Sequence, residues 1–442
     1  MSAIEGLAKN ADLRRRILFT LATLAVYRVG CHIPAPGVDG TAVMSFFNAQ
    51  SAGILGLFNT FSGGALNRFS IFALGIMPYI SSSIIFQLLQ SVVPYLEALK
   101  KEGEQGRKKI NQYTRYGTIL LAVIQGYVIS SWLLNSVSPE GQPLVVSTSV
   151  GPFPFWLLGI VTLTAGTCFI MWLGEQITEK GIGNGASLVI FTGIAAGVWP
   201  GAGALWSLVQ NNEMSGLVAL LLIVFMIVVI SLIIFLEVGQ RRIAIQYSAR
   251  GQGPMNMGNQ GSHLPLKLNF SGVIPPIFAS SLLMFPATVA QFVEAPWLKS
   301  MQESLSPSGA IYNLLFVGLI VFFCFFYAQI MFNPYEIADN LKKYGAFVPG
   351  IRAGKSTAEY IQKVLDRINV GGAIYLSAIC VLPGILTDQL RVPFYFGGTS
   401  LLILVGVALD TSQQIQSHLI SQKYEGLVKN VKIRSRRGRV QF

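Results

Sequence analysis

Charge is scarce in this sequence. Lys, Arg, Asp and Glu make up 12% of its 442 residues, where a soluble domain carries about 25%. A chain of this length that is also 52% hydrophobic is too apolar to fold in water as two or three soluble domains. It reads as a bundle of membrane spans. Cysteine is scarce too. Cys31, Cys168, Cys324 and Cys380 fall in or at the ends of apolar runs, with no CxxC spacing, which argues against a disulfide framework or a zinc site. His32, His263 and His418 are scattered and form no ligand cluster. There is no HExxH, no Ser/His pair and no pair of intramembrane carboxylates, so nothing points to intrinsic catalysis. Gly350-Ile-Arg-Ala-Gly354-Lys355-Ser356 has the look of a phosphate-binding loop. It fails because Pro349 stands where the first glycine belongs and no parallel strand precedes it.

What the chain does have is long apolar runs. A bilayer core about 30 Å thick needs about 20 apolar residues per helix. Leu217–Leu236 meets that, and Gly117–Leu134, Phe155–Leu173, Ile311–Phe332 and Val370–Leu386 also qualify. Ile17–Ile33, Ile71–Val93, Gly185–Val198, Gly272–Phe292 and Gly397–Leu409 carry more Gly, Pro or Ser. Lipid offers the backbone no partners, so these are expected to be helices. The fold expected is an all-α polytopic membrane protein of ten transmembrane helices. The first run follows Arg14, Arg15 and Arg16 without a clear cleavage site and is read as a retained helix.

The positive charge orients the bundle. Lys and Arg crowd the N-terminus, the second-to-third, sixth-to-seventh and eighth-to-ninth connections, and the tail, whereas the opposite side holds only Arg68, Lys299 and Arg391. Both termini are therefore expected in the cytoplasm. The net charge of +12, gathered on one face, suits anionic lipids or a polyanionic partner such as ribosomal RNA, although topology signalling accounts for it equally well.

A long connection, Trp199–Gly216, divides five spans from five. This predicts an N-terminal half over 1–200, a hinge over 201–216, a C-terminal half over 217–417 and a basic tail over 418–442. Equal halves are typical of inverted repeats; span count alone carries that expectation. Phe61–Gly75 is helix-capable but glycine-broken at both ends and holds Asn67 and Arg68, which fits a short helix that enters the membrane without crossing it. In the connection 332–368, Asn333-Pro334-x-Glu336 predicts a helix start, Gly345 a stop and Ser356-x-x-Glu359 a second start, giving a helical hairpin with a tip at Ala346–Lys355. In 237–271, the alternations Ile243/Ile245/Tyr247 and Leu264/Leu266/Leu268 predict a β-hairpin.

Several runs resemble one family. They include Phe61-Ser-Gly-Gly-Ala-Leu66, Ser70-Ile-Phe-Ala-Leu-Gly-Ile-Met-Pro-Tyr-Ile80, Gln112-Tyr-Thr-Arg-Tyr-Gly117, Trp172-Leu-Gly-Glu-Gln-Ile-Thr-Glu179 and Gly181-Ile-Gly-Asn-Gly185. Further along stand Ala338-Asp-Asn-Leu-Lys-Lys343, Phe347-Val-Pro-Gly-Ile-Arg352 and Pro393-Phe-Tyr-Phe-Gly-Gly-Thr-Ser-Leu-Leu402. Together they resemble the SecY/Sec61-alpha family of protein-export channels across nearly the whole chain. The resemblance implies an hourglass pore between two pseudo-symmetric five-helix halves in the bacterial inner membrane, conducting unfolded secretory polypeptides and releasing hydrophobic segments sideways. It implies a plug helix at Phe61–Leu74, including Phe61, Gly63, Gly64, Asn67 and Arg68. It implies a pore ring of Ile76, Ile80, Ile190, Ile277 and Ile403; from spacing alone, Ile76 and Ile80 read first as ordinary helix packing, and the resemblance reverses that. Where the family often has isoleucine this chain has Ala186, which suggests a locally slacker ring. The implied lateral gate runs between the second and third and the seventh and eighth spans, with Ser81, Gln125 and Phe285 as candidates for it or for plain packing. No cofactor or metal is implied. The implied partners are the ATPase SecA or a translating ribosome docking at Arg352, Arg241, Arg242 and Lys355, with SecE and SecG as membrane subunits and signal-bearing polypeptides as substrate.

Two other functions compete. A secondary transporter would need ionisable groups at mid-membrane, and Glu175, Arg28 and Asp410 all sit near span ends. An intramembrane protease would need a catalytic pair in facing spans, and none is found.

Overall fold

The computed structural model describes residues 11–49, 54–138, 141–146, 149–150, 153–247, 262–292, 309–390 and 397–430. These are mostly helical. The helices are α1 (Ala11–Gly30), α2 (Gly40–Ala49), α3 (Ile54–Phe61), α4 (Met77–Val92), α5 (Pro94–Lys101), α6 (Glu104–Asn135), α7 (Phe155–Lys180) and α8 (Gly185–Gln210). They continue as α9 (Gly216–Val238), α10 (Ile274–Phe292), α11 (Ala310–Met331), α12 (Pro334–Lys343), α13 (Lys355–Leu390) and α14 (Gly398–Asn430). The strands are β1 (Ser149–Val150), β2 (Phe153–Pro154), β3 (Gln240–Tyr247), β4 (Ser262–Lys267) and β5 (Ala346–Phe347).

Among the described residues six helices are long and apolar enough to cross a membrane: α6, α7, α8, α9, α11 together with α12, and α13. The bent pair α4 and α5 makes a seventh, turning by 96°. Pro94 causes that bend, because it has no N–H to give the preceding turn and it forces Val93 into extended backbone. In α1, only Ile17–Tyr27 is free of charge between Arg16 and Arg28. The most apolar helix, α9, keeps Leu217, Leu220, Val224, Ile227 and Phe235 exposed, as a lipid-facing helix requires.

The helices pack in a defined order. α1 packs on α7 and α8, α4 on α6, α6 on α7, and α7 on α8. Further along, α9 packs on α14, α10 on α11, α11 on α13, and α13 on α14. Two sets of contacts join these groups: α8 against α9 and α14, and α10 against α3, α4 and α6.

Several element boundaries differ from expectation. The connection Trp199–Gly216 is not a loop, because α8 runs through Pro200 to Gln210. The second span begins at Met77 and not at Ile71, with Pro78 in its first turn. Helix α13 is continuous from Lys355, so the ascending arm of the hairpin and the ninth span are one rod. Ser356 lies inside it, and the turn before it is held by the Thr357 hydroxyl donating to the Arg352 carbonyl at 2.9 Å. Asn333 does cap α12, accepting from the Tyr335 amide at 3.2 Å. The β-hairpin forms as expected, β3 antiparallel to β4 with Ile243 opposite Leu264. It gains a third strand, since β5 pairs with the other edge of β3 at Gln246 and Tyr247. Ile243, Leu266, Val348, Val364 and Ile368 then close a small core that fastens both hairpins to α13.

Candidate functional site

The helix expected at Phe61–Leu74 does not form there: the helix in this region is α3, which ends at Phe61 and lodges between α8 and α10. Residues 62–76 follow as consecutive turns, with Gly63, Gly64 and Gly75 at positive φ. Phe69 also has φ +42, a left-handed conformation uncommon for a bulky residue. It is held there by its surroundings: Phe69 is fully buried and its carbonyl accepts from the Ala35 amide at 2.8 Å. The Ile71 amide donates back to the Ile33 carbonyl at 3.0 Å, so the segment is stitched to the chain leaving α1.

Side chains of α1 grip the start of these turns. The Tyr27 hydroxyl donates to the Ser62 carbonyl at 3.3 Å and the Arg28 guanidinium to the Gly63 carbonyl at 2.5 Å. Arg28, which the sequence places near a span end, is a backbone clamp. Glycines make room for the segment. A Cβ on Gly166 of α7 would meet the Ile71 carbonyl oxygen at 1.9 Å, and one on Gly193 of α8 would meet the Gly63 backbone at 3.2 Å. Asn67 and Arg68 are half-buried.

Gly193→Leu is expected to lift residues 61–63 off α8. Overpacking of this kind costs about 1–3 kcal/mol, or roughly fivefold or more in the opened population. Cys31, wholly buried beside the clamp, is then expected to react with maleimide at least about fivefold faster, read by mass spectrometry of the labelled peptide.

The five ring candidates come from four helices. Ile76 precedes α4 and Ile80 lies one turn along it, while Ile190 is on α8, Ile277 on α10 and Ile403 on α14. All five are buried, between 0% and 6% exposed, and belong to one continuous apolar core. Segment 62–76 adds Ala65, Leu66, Phe69, Phe72 and Leu74 to the same core. Ala186 is half-buried against it and lines, with Ile76, a cavity of 140 Å³. The cavity's far wall is polar, formed by Asn111, Glu179 and the Arg115–Glu175 ion pair at 2.7 Å. The arrangement is an apolar core beside a polar recess.

Of the lateral-gate candidates, Ser81 is half-buried on α4, and the Gln125 carboxamide oxygen on α6 is buried with no hydrogen-bond partner. The side chain of Phe285 lies outside the described residues. Helices α4, α6 and α10 do meet here. The residue that ties α4 to α6 is one the sequence did not single out: Ser82 donates to the Thr114 carbonyl at 2.8 Å, against Gly117. Only the absent side chain of Gly117, set opposite a small hydroxyl, could have signalled it.

Arg352, Lys355, Arg241 and Arg242 are all exposed, and the β3–β5 pairing gathers them on one end of the bundle. Arg352 leaves a turn built on Gly350 and Gly354, both at positive φ, and anchored by buried Val348.

Comparison with known proteins identifies the family. The profile of the SecY family matches residues 70–412. The protein translocase subunit SecY of Escherichia coli (strain K12) is 48% identical over 427 residues, spanning 96% of this chain and 95% of that protein. A protein-conducting channel of known structure superposes with a TM-score of 0.68 at 16% identity, covering 95% of this chain and 96% of that one. Sec61 from the canine ribosome-channel complex of the endoplasmic reticulum gives a TM-score of 0.64 at 15% identity, with the same coverage. With nearly half its residues identical to a translocase subunit along almost the full length of both, the chain belongs to the SecY family, membrane channels that conduct polypeptides and are not enzymes.

Proposed function

We propose that this chain forms a ten-span, two-halved pore whose waist is the isoleucine collar and whose closed state is sealed by α3 and residues 62–76. The spans are α1, α4, α6, α7 and α8 in one half and α9, α10, α11, α13 and α14 in the other. The recurrence of packing order supports the inverted repeat: first on fifth, second on third, third on fourth and fourth on fifth span are contacts repeated by the sixth to tenth. The observation that carries the reading is the convergence of Ile76, Ile80, Ile190, Ile277 and Ile403 in one apolar core. Branched aliphatic walls neither hydrogen-bond nor attract a passing chain, and a narrow apolar collar excludes a continuous water column.

Sideways release runs along α4 and α6 against α10. A hydrophobic segment gains about 0.3–0.6 kcal/mol per Leu, Ile, Phe or Val at mid-bilayer and loses about 2.5–3.5 for a charge, which sorts signals from translocated chain. The buried Gln125 oxygen weakens this seam, since an unsatisfied polar group costs about 1–3 kcal/mol. Gln125→Leu is expected to hold the seam shut and raise the hydrophobicity that a signal sequence needs for export, measured with a graded series of signals.

The end carrying the two hairpins faces the cytoplasm, as its basic residues favour. No motor is built in, so a translating ribosome or the ATPase SecA drives transport from Arg352, Lys355, Arg242 and Arg241, with SecE and SecG completing the inner-membrane complex and anionic lipids covering the basic face. The test is reconstitution: vesicles bearing the complex, a motor and a signal-bearing precursor are expected to import the precursor. Failure with an active motor would remove the reading.

A further inference from the structure

The two halves are joined covalently at one end of α8, where residues 211–215 lead into α9. A small core of Leu205, Val209, Met214, Ala219 and Leu222 fastens α8 to α9 there. At its other end, α8 is entered through the turn Gly181-Ile-Gly-Asn184. Side chains from several elements take up the amides of this turn. The Ile182 amide donates to the Thr20 hydroxyl on α1 at 3.1 Å and the Gly185 amide to the Thr178 hydroxyl on α7 at 2.9 Å. Asn184 caps α8, accepting from the Ala186 and Ser187 amides at 3.1 and 3.4 Å. The turn is therefore fixed to α1, α7 and α8, all of one half.

One hydrogen bond from this turn crosses to the other half. The Gly183 amide donates to the Gln414 carboxamide oxygen on α14 at 2.8 Å. Gly183 sits at φ +91, a conformation that glycine adopts without steric cost. A Cβ there would stand 3.4 Å from the Thr411 hydroxyl of α14, so the halves approach closely at this point. The neighbouring Gln413 accepts from Lys267 of β4 at 3.3 Å, a bond inside its own half. Helices α8 and α14 also carry Ile190 and Ile403, one ring residue from each half.

We propose that Gln414 is a positioning residue, the second pin of the hinge between the halves: it holds the start of α8 to α14 and so keeps Ile190 and Ile403 at their closed spacing. This rests on the two-halved reading of the bundle. With 26 residues at about 1.5 Å each, α8 is about 39 Å long. Pivoting on residues 211–215, it needs a tilt of only about 5° to carry its start about 3 Å from α14, beyond hydrogen-bond reach. The apolar contacts of the collar are non-directional, so they tolerate such sliding, and a hydrogen bond at 2.8 Å does not. Gln414 is exposed, so water takes over its bond when the halves part, and the pin is weak enough to release.

The experiment places the full chain in planar bilayers, with neither motor nor precursor present, and compares the fraction of time spent conducting. Gln414→Met keeps the length of the side chain and removes the acceptor. It is expected to raise that fraction about fivefold, the equivalent of about 1 kcal/mol. Its melting temperature is expected to match the wild type, because water replaces the exposed carboxamide. Gln414→Glu restores an acceptor oxygen and is expected to return the wild-type fraction. Gln413→Met removes a bond from the same helix but within one half, and is expected to leave conduction unchanged. A wild-type fraction in Gln414→Met, an equal rise in Gln413→Met, or no recovery in Gln414→Glu would overturn the pin. So would a melting temperature lowered in step with the leak, since the bond would then be holding the fold and not the angle between halves. Precursor import by wild-type vesicles is measured alongside. Its failure would count against the chain as an exporter, whereas normal import together with any of these results would overturn the pin alone.

Discussion

Ile403→Asn is expected to make the closed channel leak. Ile403 is 0% exposed on α14, between Leu402 and Leu404, in the core that also holds Ile76, Ile80, Ile190 and Ile277. A carboxamide there has no partner among these aliphatic side chains, and burying it dry costs about 1–3 kcal/mol. Water lowers that cost by entering, and a wetted collar conducts ions. Closed-state conductance in planar bilayers is expected to rise at least about tenfold, the equivalent of about 1.4 kcal/mol. The same loss lowers the work of opening, so precursors with weakened signals are expected to be exported. Ile403→Leu keeps the volume and the apolar surface and is expected to change neither. Unchanged conductance and unchanged stringency in the asparagine variant would dissolve the collar.

The difference in legibility between collar and plug has a physical cause. The spans could be read because lipid forces every backbone group to find its partner within the segment, so Leu217–Leu236 admits no structure but a helix. Ring residues could be assigned only through family resemblance, since an isoleucine on a helix looks the same whether it faces lipid, a neighbour or a pore. The turns of residues 62–76 were not legible. Phe69–Leu74 has helix-forming composition, and what defeats the helix is tertiary: the backbone pairs with Ile33 and Ala35, and Phe69 is held at φ +42 by its burial. Gly63, Gly64 and Gly75 hinted at breaks without saying where the chain would go. The Arg28 clamp was hidden for the same reason, because its acceptor is a carbonyl 35 positions away. The hairpin was legible from its alternation, but β5 is two residues long and leaves no pattern. The helical course past Pro200 was missed because proline and glycine are ordinarily read as a stop.

That short strand governs the second large effect. Arg352→Glu is expected to cripple motor-driven export while the chain still enters the membrane normally. Without β5, residues 346–354 would be a loop whose tip samples many positions. Paired to β3 through Gln246 and Tyr247, and pinned by Val348 against Ile243, Leu266 and Val364, the tip is held to the three-stranded sheet. An arginine presented from a fixed turn has less conformational freedom to lose when a partner's carboxylate or phosphate engages it, so its contribution is large for an exposed residue. Removing one partner of such a pair costs about 2–5 kcal/mol, and reversing the charge adds repulsion. Even 2 kcal/mol is roughly a thirtyfold loss of affinity, to be read as the precursor import rate of vesicles at limiting motor concentration. Lys355→Glu changes charge at the start of α13, where a carboxylate is favoured by the helix N-terminus, and is expected to cost less than a tenth as much in rate. Raising the motor concentration is expected to rescue Arg352→Glu in part, because the defect lies in docking and the collar downstream is intact. Full export at limiting motor would remove Arg352 from the docking surface and leave the sheet with no role beyond joining two loops.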